Sequence, residues 1–256
     1  MPGRDRLALI VGLAAVFAIA WAWMLSGSGM EMGASETAMS GMSSRLMQPA
    51  TWTPAYASMI FVMWWVMMIA MMLPSAVPTL LLFARVNRKD KAAGAPLLPT
   101  TLFAAGYLLG WGGFSVVATA LQAGLEAARL LSPMMSTSSR WLGVGLLIAA
   151  GVWQLTPLKA SCLHHCRTPL NFLAHNWRAG PLGALRMGLE HSGYCIGCCW
   201  FLMSLLFFGG VMNLYWIVGI AAFVLLEKTI PLGHWLGRAA GVALIVWGGV
   251  LAVHLS

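Results

Sequence analysis

Residues 55–84 read AYASMIFVMWWVMMIAMMLPSAVPTLLLFA, a stretch without a single charged side chain. Three further uncharged stretches occupy residues 7–25, 92–125 and 191–226. A helix crosses the bilayer core with about 20 consecutive apolar residues, and it pairs its own backbone polar groups. Only 9% of the 256 residues are charged, whereas a soluble domain has about a quarter. The sequence therefore predicts an all-α, polytopic transmembrane helical bundle, and it excludes a cytosolic enzyme, a DNA-binding module and a secreted disulfide scaffold.

The apolar pattern predicts about seven spans, at 7–25, 56–83, 100–125, 141–158, 194–210, 214–231 and 236–254. With the N terminus inside and the C terminus outside, twelve of the 15 Lys and Arg residues fall on the inner side. This distribution follows the positive-inside rule. The net charge of +8 thus has a topological explanation, and we expect no nucleic-acid partner.

Three regions follow from this division of the chain. Residues 1–25 form an N-terminal transmembrane anchor, or a signal peptide whose cleavage would leave six helices. Residues 26–55 form a Met-rich outer loop, and residues 56–256 form a six-helix metal-binding membrane domain. The loop methionines are Met30, Met32, Met39, Met42 and Met47. Their soft thioethers suit capture of Cu(I), and the alternative is a linker without a ligand.

Methionine recurs every four residues in the second span. The series consists of Met59, Met63, Met67 and Met71, with Met68 and Met72 beside it. Residues four apart lie on one helical face, so the sulfurs form a ladder along the helix. The ladder could pass a soft cation, or it could pack as ordinary helix-contact methionines.

All five cysteines lie in two late motifs. The first contains Cys162 and Cys166, and the second contains Cys195, Cys198 and Cys199. The predicted topology puts both motifs at the inner interface, where the cytosol keeps thiols reduced. Two such cysteine pairs can converge on one ion, and nearby histidines add further candidate ligands, namely His164, His165 and His191. Helix packing and thiol–disulfide chemistry remain as alternatives.

The softness of these ligands indicates the metal. Thiolates together with thioethers favour Cu(I), whereas a tetrahedral thiolate set would hold Zn(II). We therefore predict Cu(I) first and zinc second.

Glu227 and Lys228 lie within the sixth predicted span. Ionisable residues there are costly and usually face a partner or a cavity. We expect an ion pair between them or with Arg238, with Lys228 extending to the lipid headgroups. The functional alternative makes Glu227 a proton or cation relay beside the cysteines.

Three runs resemble the predicted metal-binding integral membrane proteins, a bacterial family of unknown function. They are Met63-Trp-Trp-Val-Met-Met-Ile-Ala-Met-Met-Leu-Pro-Ser75, Lys159-Ala-Ser-Cys-Leu-His-His-Cys-Arg-Thr-Pro169 and Arg186-Met-Gly-Leu-Glu-His-Ser-Gly-Tyr-Cys-Ile-Gly-Cys-Cys-Trp-Phe-Leu-Met203. The resemblance covers residues 55–250 and leaves out the Met-rich loop. It implies a multi-pass protein of the bacterial inner membrane that binds metal.

The leading hypothesis is a membrane protein that handles Cu(I) by uptake, transfer or delivery to a partner enzyme. Its partners would be the lipid bilayer and a copper-receiving membrane or periplasmic protein, and an oligomer is left open. The alternatives are a membrane thiol or haem oxidoreductase and a structural or assembly subunit. No dinucleotide fingerprint or haem-attachment run occurs in the sequence, so we favour a non-enzymatic role.

Overall fold

The chain folds into a bundle of helices, as seen in a computed structural model that describes residues 3–26, 52–87, 97–132 and 135–255. Within these ranges the only β-type backbone pairing is an isolated antiparallel bridge between Leu131 and Thr137. The helices are α1 Gly3–Leu25, α2 Pro54–Asn87, α3 Leu97–Ala127, α4 Arg140–Leu155, α5 Pro157–Arg167, α6 Pro169–Asn176, α7 Gly180–Ser204, α8 Leu206–Gly209, α9 Leu214–Thr229 and α10 Gly233–Val253. The loop methionines Met30, Met32, Met39, Met42 and Met47 lie outside the described residues.

Five of these helices are long and apolar enough to cross a membrane. A sixth span arises if α4 and α5, which are bent by 65° at their junction, count as one. The predicted all-helical class with several apolar spans is thus confirmed, but the expected count of about seven is not. The difference comes from α9, which has 16 residues and falls short of the about 20 that a straight span needs.

Helix α7 begins at Gly180, well before the predicted start at residue 194. Its first turns carry Arg186 and Glu190, and the Glu190 carboxylate accepts from Arg186 at 3.2 Å and from Arg178, which precedes the helix, at 3.1 Å. The early start puts the second cysteine motif inside a long helix. The prediction that this motif lies at the start of a span was therefore wrong.

Glycines allow two pairs of helices to approach closely. In α3, Gly106 and Gly110 face Leu185 and Ser192 of α7, and Gly188 of α7 faces the backbone of α3. In α10, Gly241 lies against Gly151 of α4. Small residues allow such backbone contact between apolar helices, and these glycines thus set the close spacing of α3 with α7 and of α4 with α10.

The bend between α4 and α5 is built by Thr156 and Pro157. The Thr156 hydroxyl donates to the Trp153 carbonyl oxygen at 2.8 Å and accepts from the Lys159 amide at 3.3 Å. Proline is favoured in the first turn of a helix, where its missing N–H needs no partner. The bend turns α5 across α7 and thereby brings the two cysteine motifs together.

Candidate metal centre

Four thiols meet where α5 crosses the middle of α7. Cys195, Cys198 and Cys199 are fully buried on α7, and Cys166 of α5 is partly buried. The thiol of Cys166 lies close to those of Cys195 and Cys198. The S–H groups of Cys198 and Cys199 donate to the Cys195 carbonyl oxygen at 3.1 and 2.9 Å. The two predicted motifs therefore do converge, and we call these four residues the thiol cluster.

Cys162 lies beside the thiol cluster rather than within it. A Cβ added at Gly197 of α7 would lie 2.8 Å from the Cys162 sulfur. Only a glycine therefore leaves room for this sulfur against the α7 backbone. Gly197 thus sets how closely α5 approaches α7, and through that distance it positions Cys166.

A lysine and a tyrosine contact the sulfur of Cys195. The Lys228 ammonium lies 2.9 Å from this sulfur and also donates to the Ser75 hydroxyl at 3.3 Å. The Tyr107 hydroxyl lies 3.2 Å from the same sulfur and donates to the Met72 carbonyl oxygen at 3.2 Å. Lys228 was expected to extend to lipid headgroups or to pair with Glu227, and that expectation was wrong.

The methionine face of α2 reaches the thiol cluster. The sulfur of Met72 lies 4.0 Å from the sulfur of Cys199. The other candidate methionines of this helix are equally buried, namely Met63, Met67, Met68 and Met71. Met59, the first methionine of the predicted ladder, is 36% exposed, so only the part of the ladder from Met63 onward shares one interior with the cysteines.

Glu227 pairs with Lys159, not with Lys228 or Arg238 as expected. Both side chains of this ion pair are buried. The ion pair lies beside Gly237 of α10, where a Cβ would come within 3.4 Å of the Lys159 nitrogen. The second carboxylate oxygen of Glu227 has no hydrogen-bond partner among the described residues. Burial of an ion away from water costs free energy unless an oppositely charged partner is close. This cost explains why Lys159 lies against Glu227 and not in the predicted inner loop.

The three candidate histidines have different surroundings. His191 is buried one turn before Cys195 among aromatic rings, and its Nδ1 atom has no hydrogen-bond partner in the described ranges. His165 stacks on Tyr194 at 4.3 Å and uses its Nδ1 atom on the Ser161 carbonyl oxygen. His164 is exposed. The structure thus brings only His191 close to the cysteines of α7.

The sulfurs of the thiol cluster do not form a ready-made cage. Across the part of the chain that the structure describes, no three His, Cys, Asp or Glu side chains are arranged to hold a metal ion. The thiols instead contact one another, a carbonyl oxygen and Lys228.

Tyr107, Lys159 and Lys228 were missed as residues that shape the site. Each one approaches the site from a helix distant in sequence, so spacing along the chain gave no indication of these contacts. The available signal was the free-energy cost of placing a lysine in an apolar stretch, because such a lysine needs a buried partner.

A family model described as "PpoB2: Copper chaperone" matches residues 61–251 of the chain. No curated protein and no solved structure matches the chain.

Proposed function

Because the chain belongs to the PpoB2 copper chaperone family, we propose that it is an integral membrane protein that binds Cu(I) at the thiol cluster and delivers it to a partner. The observation that carries the proposal is the convergence of Cys166 with Cys195 and Cys198, next to the thioether of Met72. Thiolate and thioether ligands together select Cu(I). Copper is the cargo of this site.

The charge at the thiol cluster supports Cu(I) over Zn(II). Two thiolates around Cu(I) carry a net charge of −1, and the buried Lys228 ammonium beside Cys195 balances that charge. Four thiolates around Zn(II) carry −2 and would leave one buried negative charge unbalanced. Burial of an unpaired charge is strongly unfavourable, so the neutral Cu(I) assembly is preferred.

Loading the thiol cluster exchanges protons for copper. One Cu(I) ion displaces the proton from each protonated thiol that it binds, so that each such S–H group gives one copper-bound thiolate and one proton. Neither the metal nor the sulfur changes oxidation state. Metal affinity consequently rises with pH, because the ligands must lose protons before they bind.

The membrane setting rests on the long apolar helices. We place the protein in the bacterial inner membrane as a multi-pass protein, with its N terminus inside and its C terminus outside. The recipient would be a membrane or periplasmic copper protein. The methionine face of α2 gives a route between one end of the bundle and the thiol cluster, and Glu227 is a candidate relay for the protons released there.

Metal analysis of protein purified anaerobically in detergent tests the proposal. We expect about one tightly bound copper per chain in the wild type and no tightly bound copper in a Cys195→Ser/Cys198→Ser variant. The matched control is Cys162→Ser, whose thiol faces Gly197 and whose loss should leave the copper bound. Folded wild-type protein without copper but with a titratable disulfide would overturn the proposal in favour of thiol oxidoreductase chemistry.

A further inference from the structure

A second group of sulfur ligands surrounds a cavity away from the thiol cluster. The cavity has a volume of about 110 Å³ and is lined by residues of α1, α2 and α9 and of the connection before α9. Four of the lining residues are methionines, namely Met24, Met63, Met67 and Met212. The apolar residues Trp23, Leu25, Leu214 and Ile217 complete the wall.

The four methionines come from three separate parts of the chain. Met24 lies in the last turn of α1, Met63 and Met67 lie one turn apart on α2, and Met212 precedes α9. Simple core filling does not require methionine from all three parts at one cavity, because leucine packs with better-defined rotamers. A thioether differs from leucine in being a soft, neutral metal ligand.

The position of the cavity fits entry of an ion. Its wall includes the end of α1, where the chain continues into the Met-rich segment that joins α1 to α2. From Met67, the buried Met71 is one turn further along α2, and Met72 contacts the sulfur of Cys199 at 4.0 Å. Met63 and Met72 are separated by about 13 Å along the helix axis, at 1.5 Å per residue. Sulfur is thus available at every turn between the cavity and the thiol cluster.

We propose that Met24, Met63, Met67 and Met212 form a second Cu(I) site, at which copper is held before it moves to the thiol cluster. Neutral thioethers leave the ion its full positive charge, whereas thiolates neutralise it. The cavity is therefore the weaker site, and transfer along α2 to the thiolates is favourable. This inference rests on the proposed copper function and adds an entry site to it.

The test measures Cu(I) binding in the Cys195→Ser/Cys198→Ser background, where the thiol cluster is disabled. The protein is titrated anaerobically with Cu(I) against a chromophoric chelator, and Ag(I) serves as a redox-stable check. We expect a residual weak site that loses about tenfold or more in affinity on Met24→Leu/Met212→Leu, since even outer-shell changes cost metal sites tenfold or more. The matched control is Met203→Leu, a buried methionine of α7 that does not line the cavity.

The outcomes separate the two proposals. If residual binding is unchanged in the Met24→Leu/Met212→Leu variant, the cavity is not a copper site, and the ion is held elsewhere. If residual binding falls equally in the Met203→Leu control, the effect is structural and the inference fails. The single variant Met212→Leu gives the same comparison should the double variant not fold. The copper-handling proposal fails on a different result, namely that the unmodified protein does not bind Cu(I) tightly.

Discussion

The ammonium group of Lys228 lies 2.9 Å from the sulfur of Cys195, deep inside the helical bundle. These two residues belong to different helices and are brought together by the packing of α9 near α7. The contact places the positive charge of the Lys228 ammonium beside the Cys195 thiol, which becomes negatively charged when it loses its proton. Several properties of the proposed copper site depend on this pair.

Lys228→Met should weaken Cu(I) binding at the thiol cluster. The substitution removes the counter-charge of a buried anionic complex, and breaking a buried charge pair costs about 3–5 kcal/mol, which corresponds to a loss of affinity of at least about a hundredfold. Affinity is measured by competition with a chromophoric Cu(I) chelator after full equilibration. Lys228→Arg keeps the charge and should lose less. Unchanged or tighter binding in Lys228→Met would show that the charge balance is wrong.

Met72→Leu should slow copper loading of the thiol cluster without unfolding the protein. The change removes the thioether beside Cys199, and such a volume-conserving exchange usually costs less than about 1.5 kcal/mol of stability. Stopped-flow loading with Cu(I) gives the rate. Met59→Leu is the control, because Met59 lies on the same helix but is 36% exposed. Equal loading rates in both variants would remove Met72 from the route.

Gly197→Ala should lower copper retention by pushing α5 away from α7. The added methyl group would lie 2.8 Å from the Cys162 sulfur, and crowding of a packed interior costs about 1–3 kcal/mol. Copper content and thermal unfolding are measured together. The second change Cys162→Ala removes the clashing sulfur and should restore both quantities. A defect that persists in the double variant would mean that Gly197 acts in another way.

Glu227→Gln should destabilise the fold, since it leaves the Lys159 ammonium buried without its partner. We expect a loss of about 3–5 kcal/mol in thermal or denaturant unfolding in detergent. Replacement of both partners by apolar residues, as in Lys159→Met/Glu227→Leu, should recover most of the stability.

Arg186→Ala is the matched comparison for the Glu227 variant, because the exposed pair of Arg186 with Glu190 should contribute less than about 1 kcal/mol. If Glu227→Gln instead keeps full stability but abolishes copper delivery, Glu227 acts as the relay and not as a structural partner.

The helical class could be predicted because a long stretch without charged residues can adopt few structures other than a helix. The ends of the helices could not be predicted equally well. The expected start of α7 at residue 194 was wrong because hydropathy alone stops at charged residues, whereas Glu190 and Arg186 neutralise each other one helical turn apart. The bend at Thr156 turns what hydropathy reads as one span into two helices.

The meeting of the two cysteine motifs could be predicted from the sequence, but the residues around them could not. Cysteine spacing indicated that the two motifs could meet, because ligands of one site recur in short motifs. The charged partners follow no such rule, since Lys159 and Glu227 are 68 positions apart. Their pairing depends on how α5 and α9 pack against each other, and the local sequence around either residue does not contain this information. For the same reason Met24 and Met212 were not predicted as neighbours of Met63.

The burial of Cys195, Cys198 and Cys199, of which no more than 1% is exposed, has a consequence for timing. A water-soluble chelator is too large to reach these sulfurs while the helices remain packed. In the proposed copper site, removal of the ion by such a chelator is therefore limited by motion of the packed helices, and the strength of the copper–sulfur bonds alone does not determine its residence time. Protection of the proposed cargo and the speed of its release would then both depend on helix packing.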